Sequence, residues 1–201
     1  SSLGLTGILY PAKELFPQSY ESGGTGGTAG TYNNRTTTTS GNGSNATLDI
    51  TTGITAGHLI PTTGINITQT ATTTADATTA AITQTSTSGG GIGATFQITA
   101  VGNAIDSVTV VAEGSGYQNL ETVTFSSGFL SGLGTLGTVN QDVIVQIATS
   151  DLLVRPESVK INSQGINYKV NDTLTVSLAT IGNPAADLVV KLLPSDFTTA
   201  T

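Results

Sequence analysis

Few residues in this chain could carry chemistry, and their spacing restricts what that chemistry could be. The single histidine, His58, lies between Gly57 and Leu59. No histidine pair is therefore available for zinc, and general-base work would rest on one imidazole. A Ser-His-Asp site would have to run through His58, yet there is no Gly-x-Ser-x-Gly elbow. His58 reads as a turn or interface histidine. The 13 carboxylates are scattered, with no Asp-x-Asp-x-Asp calcium loop. A calcium site assembled across loops from Asp106, Glu113 or Glu121 is the metal option this leaves, and a glycosidase pair has less support. The chain has no Cys, so it has neither a disulfide framework nor a thiolate metal site. The runs Gly89-Gly90-Gly91-Ile92-Gly93 and Gly128 to Gly137 contain no Gly-Lys-Ser/Thr, and no helix signal follows them, so they are not phosphate cradles. Asn-x-Ser/Thr triplets at Asn34, Asn42, Asn45, Asn66 and Asn171 are glycan acceptors in a secreted chain and chance matches in one so rich in Thr. No catalytic residue, cofactor or metal ligand is assigned, and the chain is read as a non-enzyme.

The elements that would position such residues are strands. Among 201 residues 38 are Thr, a β-branched type that fits a pleated surface better than a helix. Charged residues make up 9%, against the roughly 25% usual in soluble domains. With only six Lys and Arg and a net charge of −7, the chain lacks the basic footprint of a nucleic-acid binder. No stretch approaches 18 apolar residues, and Ser1 to Gly7 has neither a basic segment nor an apolar run of the signal-peptide kind, so no membrane span is expected.

Internal repeats organise the sequence. Ser107 to Ser126 (SVTVVAEGSGYQNLETVTFS) aligns without gaps on Ser158 to Ser177 (SVKINSQGINYKVNDTLTVS), with seven identities at an offset of 51. Thr38 to Thr51 aligns on Ser86 to Thr99 with eight identities at an offset of 48. One unit reads as a Gly-rich entry, a strand over 94–101, a turn at Gly102-Asn103, a strand over 107–112, a Gly-containing turn and a strand over 121–126. Val108 and Val110 face one side and Thr109 and Val111 the other, while Val123 and Phe125 oppose Thr122 and Thr124, the period of a half-buried strand. Val143 to Ile147 is read as the first strand of a further unit and Asp187 to Leu193 as its closing strand.

The shared positions form a turn signature: Gly114, Gly116, Tyr117 and Glu121 against Gly165, Asn167, Tyr168 and Asp172. Glycine, and after it asparagine, permits the positive φ of a tight hairpin. Each Tyr is expected to lay its ring over neighbouring strands and to reach a backbone carbonyl with its hydroxyl, and each carboxylate to accept turn amides. Sugar stacking by Tyr117 and Tyr168 is the competing use, and repeated core packing is preferred.

Leu3 to Tyr20 differs in composition and is followed by a Gly-rich linker, Ser22 to Gly30. Leu3, Leu5, Ile8, Leu9, Tyr10, Leu15 and Phe16 make it an apolar arm, which either docks into a partner or packs on its own domain. Thr68 to Thr87 is read as a strand edge, an extended wrap or a loop.

The pattern G-A-T-F-x-I-T…S-V-T-V-x-x-x-G-S-G-Y-x-x-x-(D/E)-T-(V/L)-T-F, clear over Gly91 to Ser126 and looser over Val143 to Ser177, resembles repeats of virion structural proteins of tailed phages, marine cyanophages in particular. Such relatives usually carry Gly-Asp before Thr, whereas this chain has Leu120-Glu121 and Asn171-Asp172. The resemblance implies a structural module and transfers no catalytic residues.

Together these readings predict an all-β fold of repeated antiparallel units, as one β-sandwich or as tandem small domains, with an extended N-terminal arm. The expected divisions are 1–30 for arm and linker, 31–88 for a degenerate first unit, 89–141 for a second and 142–201 for a third. The expected function is that of a virion component, either a capsid decoration or cement protein or a tail or fibre accessory. Its expected partners are other virion proteins of a capsid or tail lattice and further copies of itself, with no nucleic acid and no membrane. A microbial cell-surface or filament subunit and a carbohydrate-binding adhesin module are the alternatives, with an extracellular or cell-surface location.

Overall fold

In the computed structural model, which describes residues 7–198, the chain is an all-β protein of antiparallel sheets. The fourteen strands are β1 (Tyr20–Ser22), β2 (Gly30–Thr36), β3 (Thr38–Thr39), β4 (Ser44–Gly53), β5 (Asn66–Gln69), β6 (Ile82–Thr83), β7 (Ser86–Thr87), β8 (Ile92–Val101), β9 (Ala104–Ser115), β10 (Thr122–Phe125), β11 (Val143–Gln146), β12 (Arg155–Ile166), β13 (Thr173–Val176) and β14 (Leu188–Lys191). One short α-helix, α1 (Ser127–Gly132), and three single-turn 3₁₀ segments interrupt them. No helix among the described residues is long and apolar enough to cross a membrane.

The strands form two compact units that are nested in sequence. A host unit takes Ser1–Gly53 and Val154–Thr201, and an inserted unit is the continuous stretch Ile54–Leu153. The host has a four-stranded sheet in the order β1-β14-β13-β3 and a three-stranded sheet β12-β4-β2. The inserted unit has β5-β11-β10-β7 and β9-β8-β6. Numbered within its own unit, each seven-strand set follows the same two orders, 1-7-6-3 and 5-4-2, so the units share one topology.

Each unit is a sandwich because its strands alternate. In the inserted unit Phe96, Ile98, Val108 and Val110 of one sheet and Val123, Phe125, Val143 and Val145 of the other are at most 1% exposed and form a common core. The rings of Phe96 and Phe125 meet across it edge to face, with centroids 5.2 Å apart. Leu48, Ile50, Val159, Ile161, Leu174, Val176, Leu188 and Val190 do the same in the host. The outward Thr residues make the alternation clean.

One strand assignment and the division into units change against the sequence reading. Val143–Gln146 does not open a third unit. It pairs with β10 (Val145 opposite Val123) and closes the inserted unit. Three consecutive units are likewise replaced by two nested ones. Within the inserted unit β8 and β9 turn at Gly102 and Asn103, with φ of 62° and 59°, the two positive values a two-residue type I′ hairpin requires. In the host the corresponding strands β4 and β12 are paired, with Gly53 opposite Arg155, and residues 54–153 occupy the place of that turn. This nesting explains why the two alignments carry different offsets. The first relates strands after the insertion and the second relates strands before it.

Of the two uses left open for the apolar arm, the structure shows packing on its own unit. Residues 8–16 fold onto the host sandwich: Leu9 forms a bridge with Phe197, Glu14 forms one with Lys160, and Leu9 and Leu15 are 1% and 0% exposed. Phe16 packs against the same core, while Ile8 and Tyr10 stay exposed. Leu3 and Leu5 lie outside the described residues. The inserted unit has the same element: Leu59 forms a bridge with Leu152, and Gly64 forms one with Thr109. Leu15 N donates to Val159 O at 2.7 Å, and Ile65 N donates to Val108 O at 2.9 Å. The arm is therefore the first element of the repeated unit.

Candidate functional site: a repeated glycine, tyrosine and carboxylate arch

The sequence signature folds into an arch that carries the chain from one sheet of a sandwich to the other, from β9 to β10 and from β12 to β13. It is not the tight hairpin expected, because the strands it joins lie in different sheets. The positive φ angles are nevertheless present: 55° and 77° at Gly114 and Gly116, 63° at Asn167, and 67° and 74° at Leu120 and Asn171. Gly114 is required twice over, since a Cβ there would also collide with the backbone of Ile92 and Ala94.

Both tyrosines are core residues, with Tyr117 1% and Tyr168 2% exposed. Each ring lies against a glycine from the other alignment, so that a Cβ at Gly91 would overlap Tyr117 Cδ1 and one at Gly43 would overlap Tyr168 Cδ1. The hydroxyls end differently from expectation. Tyr117 donates to Gln84 Oε1 at 2.6 Å, and Gln84 Nε2 donates to Gly91 O at 2.7 Å. The Tyr168 hydroxyl accepts from Ala46 N at 3.2 Å, a backbone amide instead of a carbonyl. Burial, with the negative charge of Glu121 added, holds the Tyr117 hydroxyl above the ordinary tyrosine range and so favours its protonated form.

The carboxylates accept amides as their position predicts. Glu121, 5% exposed, accepts from Gly91 N at 2.9 Å and from the Thr87 hydroxyl on Oε1, and from Gln118 N at 2.9 Å on Oε2. Asp172 accepts from Lys169 N at 2.9 Å. Serines complete the parallel: Thr122 N donates to Ser88 Oγ at 2.9 Å and Thr173 N to Ser40 Oγ at 3.0 Å.

The remaining candidates do not converge. His58 Nδ1 is 3.5 Å from Glu113 Oε1, with neither a nucleophile nor a second imidazole in that arrangement. Asp106 is exposed and Glu121 is committed to the arch, so the loop-calcium grouping is not assembled, and no cluster of three or more His, Asp or Glu suited to a metal occurs among the described residues. A cleft of about 400 Å³ in the host is lined by Ile8, Gln164, Ile166, Asn167 and Tyr168 with Gly7 and Gly165. One of about 260 Å³ in the inserted unit is lined by Ile54, Thr55, Gln118, Asn119, Tyr117 and Leu152. Neither has a charged side chain in its lining.

Two buried acids escaped the sequence reading. Asp151 Oδ2 accepts from Ala148 N and Asp196 Oδ2 from Leu193 N, each at 2.8 Å, and Asp196 also takes the Ser19 hydroxyl at 2.6 Å. The signal that marks them is Ser150-Asp151-Leu152 against Ser195-Asp196-Phe197, a short match at a third offset. The arm had a similar one in Leu9-Tyr10-Pro11 against Leu59-Ile60-Pro61.

The class of protein that this geometry defines is a pair of seven-stranded antiparallel sandwiches with one copy nested in the other. Comparison with protein-family models, with curated proteins and with solved structures returns no match to the chain.

Proposed function

We propose that the chain is a non-enzymatic structural component of a virion, a decoration, cement or fibre-accessory subunit that acts through protein contacts. The observation that carries this reading is the use made of the motif residues. Gly91, Tyr117, Glu121 and their host counterparts Gly43, Tyr168 and Asp172 are engaged in folding each sandwich, which leaves the repeated signature with a scaffold role. The resemblance of the same signature to tailed-phage virion repeats supplies the setting. Sparse charge and Thr-faced sheets suit a subunit that presents surface. Leu9 and Leu15 are taken up by the host core. Lattice contact then falls to exposed faces, such as the Ile8 and Ile166 surroundings of the host cleft, where these residues are 63% and 58% exposed.

The test is co-sedimentation of the purified full chain with capsids and tails of tailed phages, alongside light scattering of the chain alone. Saturable binding to particles, or a defined oligomer, supports the proposal. A monodisperse monomer that stays in the supernatant with every particle type overturns it.

A further inference from the structure

We propose that Asn42 is a self-modification site, at which the amide nitrogen of Gly43 displaces the side-chain nitrogen of Asn42 and the resulting succinimide opens to aspartate and isoaspartate. Asn42 is exposed in the loop between β3 and β4, and it is the one asparagine of the chain followed by glycine. Ring closure at an asparagine is slowed by a side chain on the next residue, which crowds the attacking nitrogen, and glycine has none.

Two structural observations make this more than a dipeptide match. First, position 43 is held as glycine by the fold, because a Cβ there would overlap the buried Tyr168 ring. The labile pair persists as long as Asn42 does. Second, the nested copy shows what restraint of this amide looks like. Gly91 N, the counterpart of Gly43 N, donates to Glu121 Oε1 at 2.9 Å, whereas Asp172, one methylene shorter, accepts from Lys169 N and no hydrogen bond from Gly43 N is formed among the described residues. The nucleophile is engaged in the inserted unit and free in the host. The inserted unit has Gly90 where the host has Asn42, so its held amide faces no side-chain amide.

The chemistry balances without a cofactor. The Gly43 N to Asn42 Cγ bond forms as the Cγ–Nδ2 bond breaks, and the Gly43 amide proton departs with the nitrogen as ammonia. Water then adds to one of the two ring carbonyls. Opening at Cγ leaves aspartate, and opening at the main-chain carbonyl leaves isoaspartate, with the backbone rerouted through the former side chain. Either product adds one negative charge to a loop whose Gly41 already abuts the Asp172 carboxylate. Isoaspartate also lengthens the path between Ser40, which is bonded to Thr173, and Gly43 beneath Tyr168. The host unit is therefore the one that loosens with age. This inference does not depend on the virion reading.

The experiment ages the full chain in warm, mildly alkaline buffer and maps amide loss by peptide mass spectrometry with fragmentation that separates the two acids. Asn42 is expected to convert severalfold faster than Asn103 or Asn162, with isoaspartate the larger product, and the Asn42→Ser variant is expected to lose this leading phase while keeping its circular dichroism. The Gly90→Asn variant, which puts an Asn-Gly pair before the amide held by Glu121, is expected to convert at position 90 more slowly than Asn42. Conversion of Asn42 no faster than Asn103 and Asn162, or equal rates at positions 42 and 90, overturns the proposal.

Discussion

At the scale of single residues, the arch is a closed fit between a glycine, an aromatic ring and a carboxylate. Gly91→Ala inserts a methyl into the Tyr117 ring, and overpacking of this kind is expected to cost about 1–3 kcal/mol. Urea unfolding should show this as a lower midpoint, and Gly43→Ala should do the same through Tyr168. Tyr117 adds a pH dependence whose sign follows from its environment. Its hydroxyl is held above the ordinary range, so the native state favours the protonated form. The stability this provides is fully present below the unfolded tyrosine value of about 10 and is lost as pH rises through the higher native value. Tyr117→Phe should therefore cost about 1 kcal/mol at neutral pH, through the lost bond to Gln84, and should flatten the alkaline limb of a stability profile measured by denaturant unfolding.

At the scale of elements, the segment that composition sets apart as an arm is the edge of the host sandwich. The competing uses make different predictions for Leu15. A partner-docking residue could be truncated with little effect on the isolated chain, whereas a fully buried one leaves a cavity. Leu15→Ala is expected to destabilise by about 2–5 kcal/mol in chemical unfolding, and Leu9→Ala by a similar amount. Ile8→Ala, at an exposed site, should stay close to wild type. The Thr68 to Thr87 stretch illustrates the same lesson. It has no periodicity to mark it, yet Ala71 and Thr79 are each 2% exposed, and Thr79 Oγ1 accepts from Ile98 N at 3.1 Å. It edges the β8–β9 sheet through β6 and through the Thr78–Thr99 bridge. Strand alternation over 107–111 and 122–125 was legible because one face of each strand is buried continuously. Wrapping segments bury isolated side chains and leave no such period.

At the scale of the whole molecule, the nested duplication predicts that a single sandwich is a sufficient folding unit. The inserted unit contains all seven strands, its own core and its own terminal bridge between Leu59 and Leu152. Residues 54–153 expressed alone should therefore give a cooperative melt and dispersed amide resonances. The host should also close if Gly53 and Arg155, already opposite one another, are joined by a Gly-Asn turn copied from positions 102 and 103.

The sequence by itself determined the all-β class, the alternating faces of the principal strands, the two repeat alignments and the presence of glycine or asparagine at the positive-φ positions of the arch other than Leu120. All of these are local consequences of residue type and period. Only the tertiary structure decided that Gly43 and Gly91 meet the tyrosines of the other alignment, that Val143–Gln146 ends a unit, and that residues 8–16 belong to a core. Each depends on which strands become neighbours, and in a nested chain the neighbours of β4 and β14 are more than a hundred residues and nearly the whole chain length away, at β12 and β1. A repeat read along the sequence shows that a unit recurs. Pairing across the insertion is what defines where the unit begins and ends.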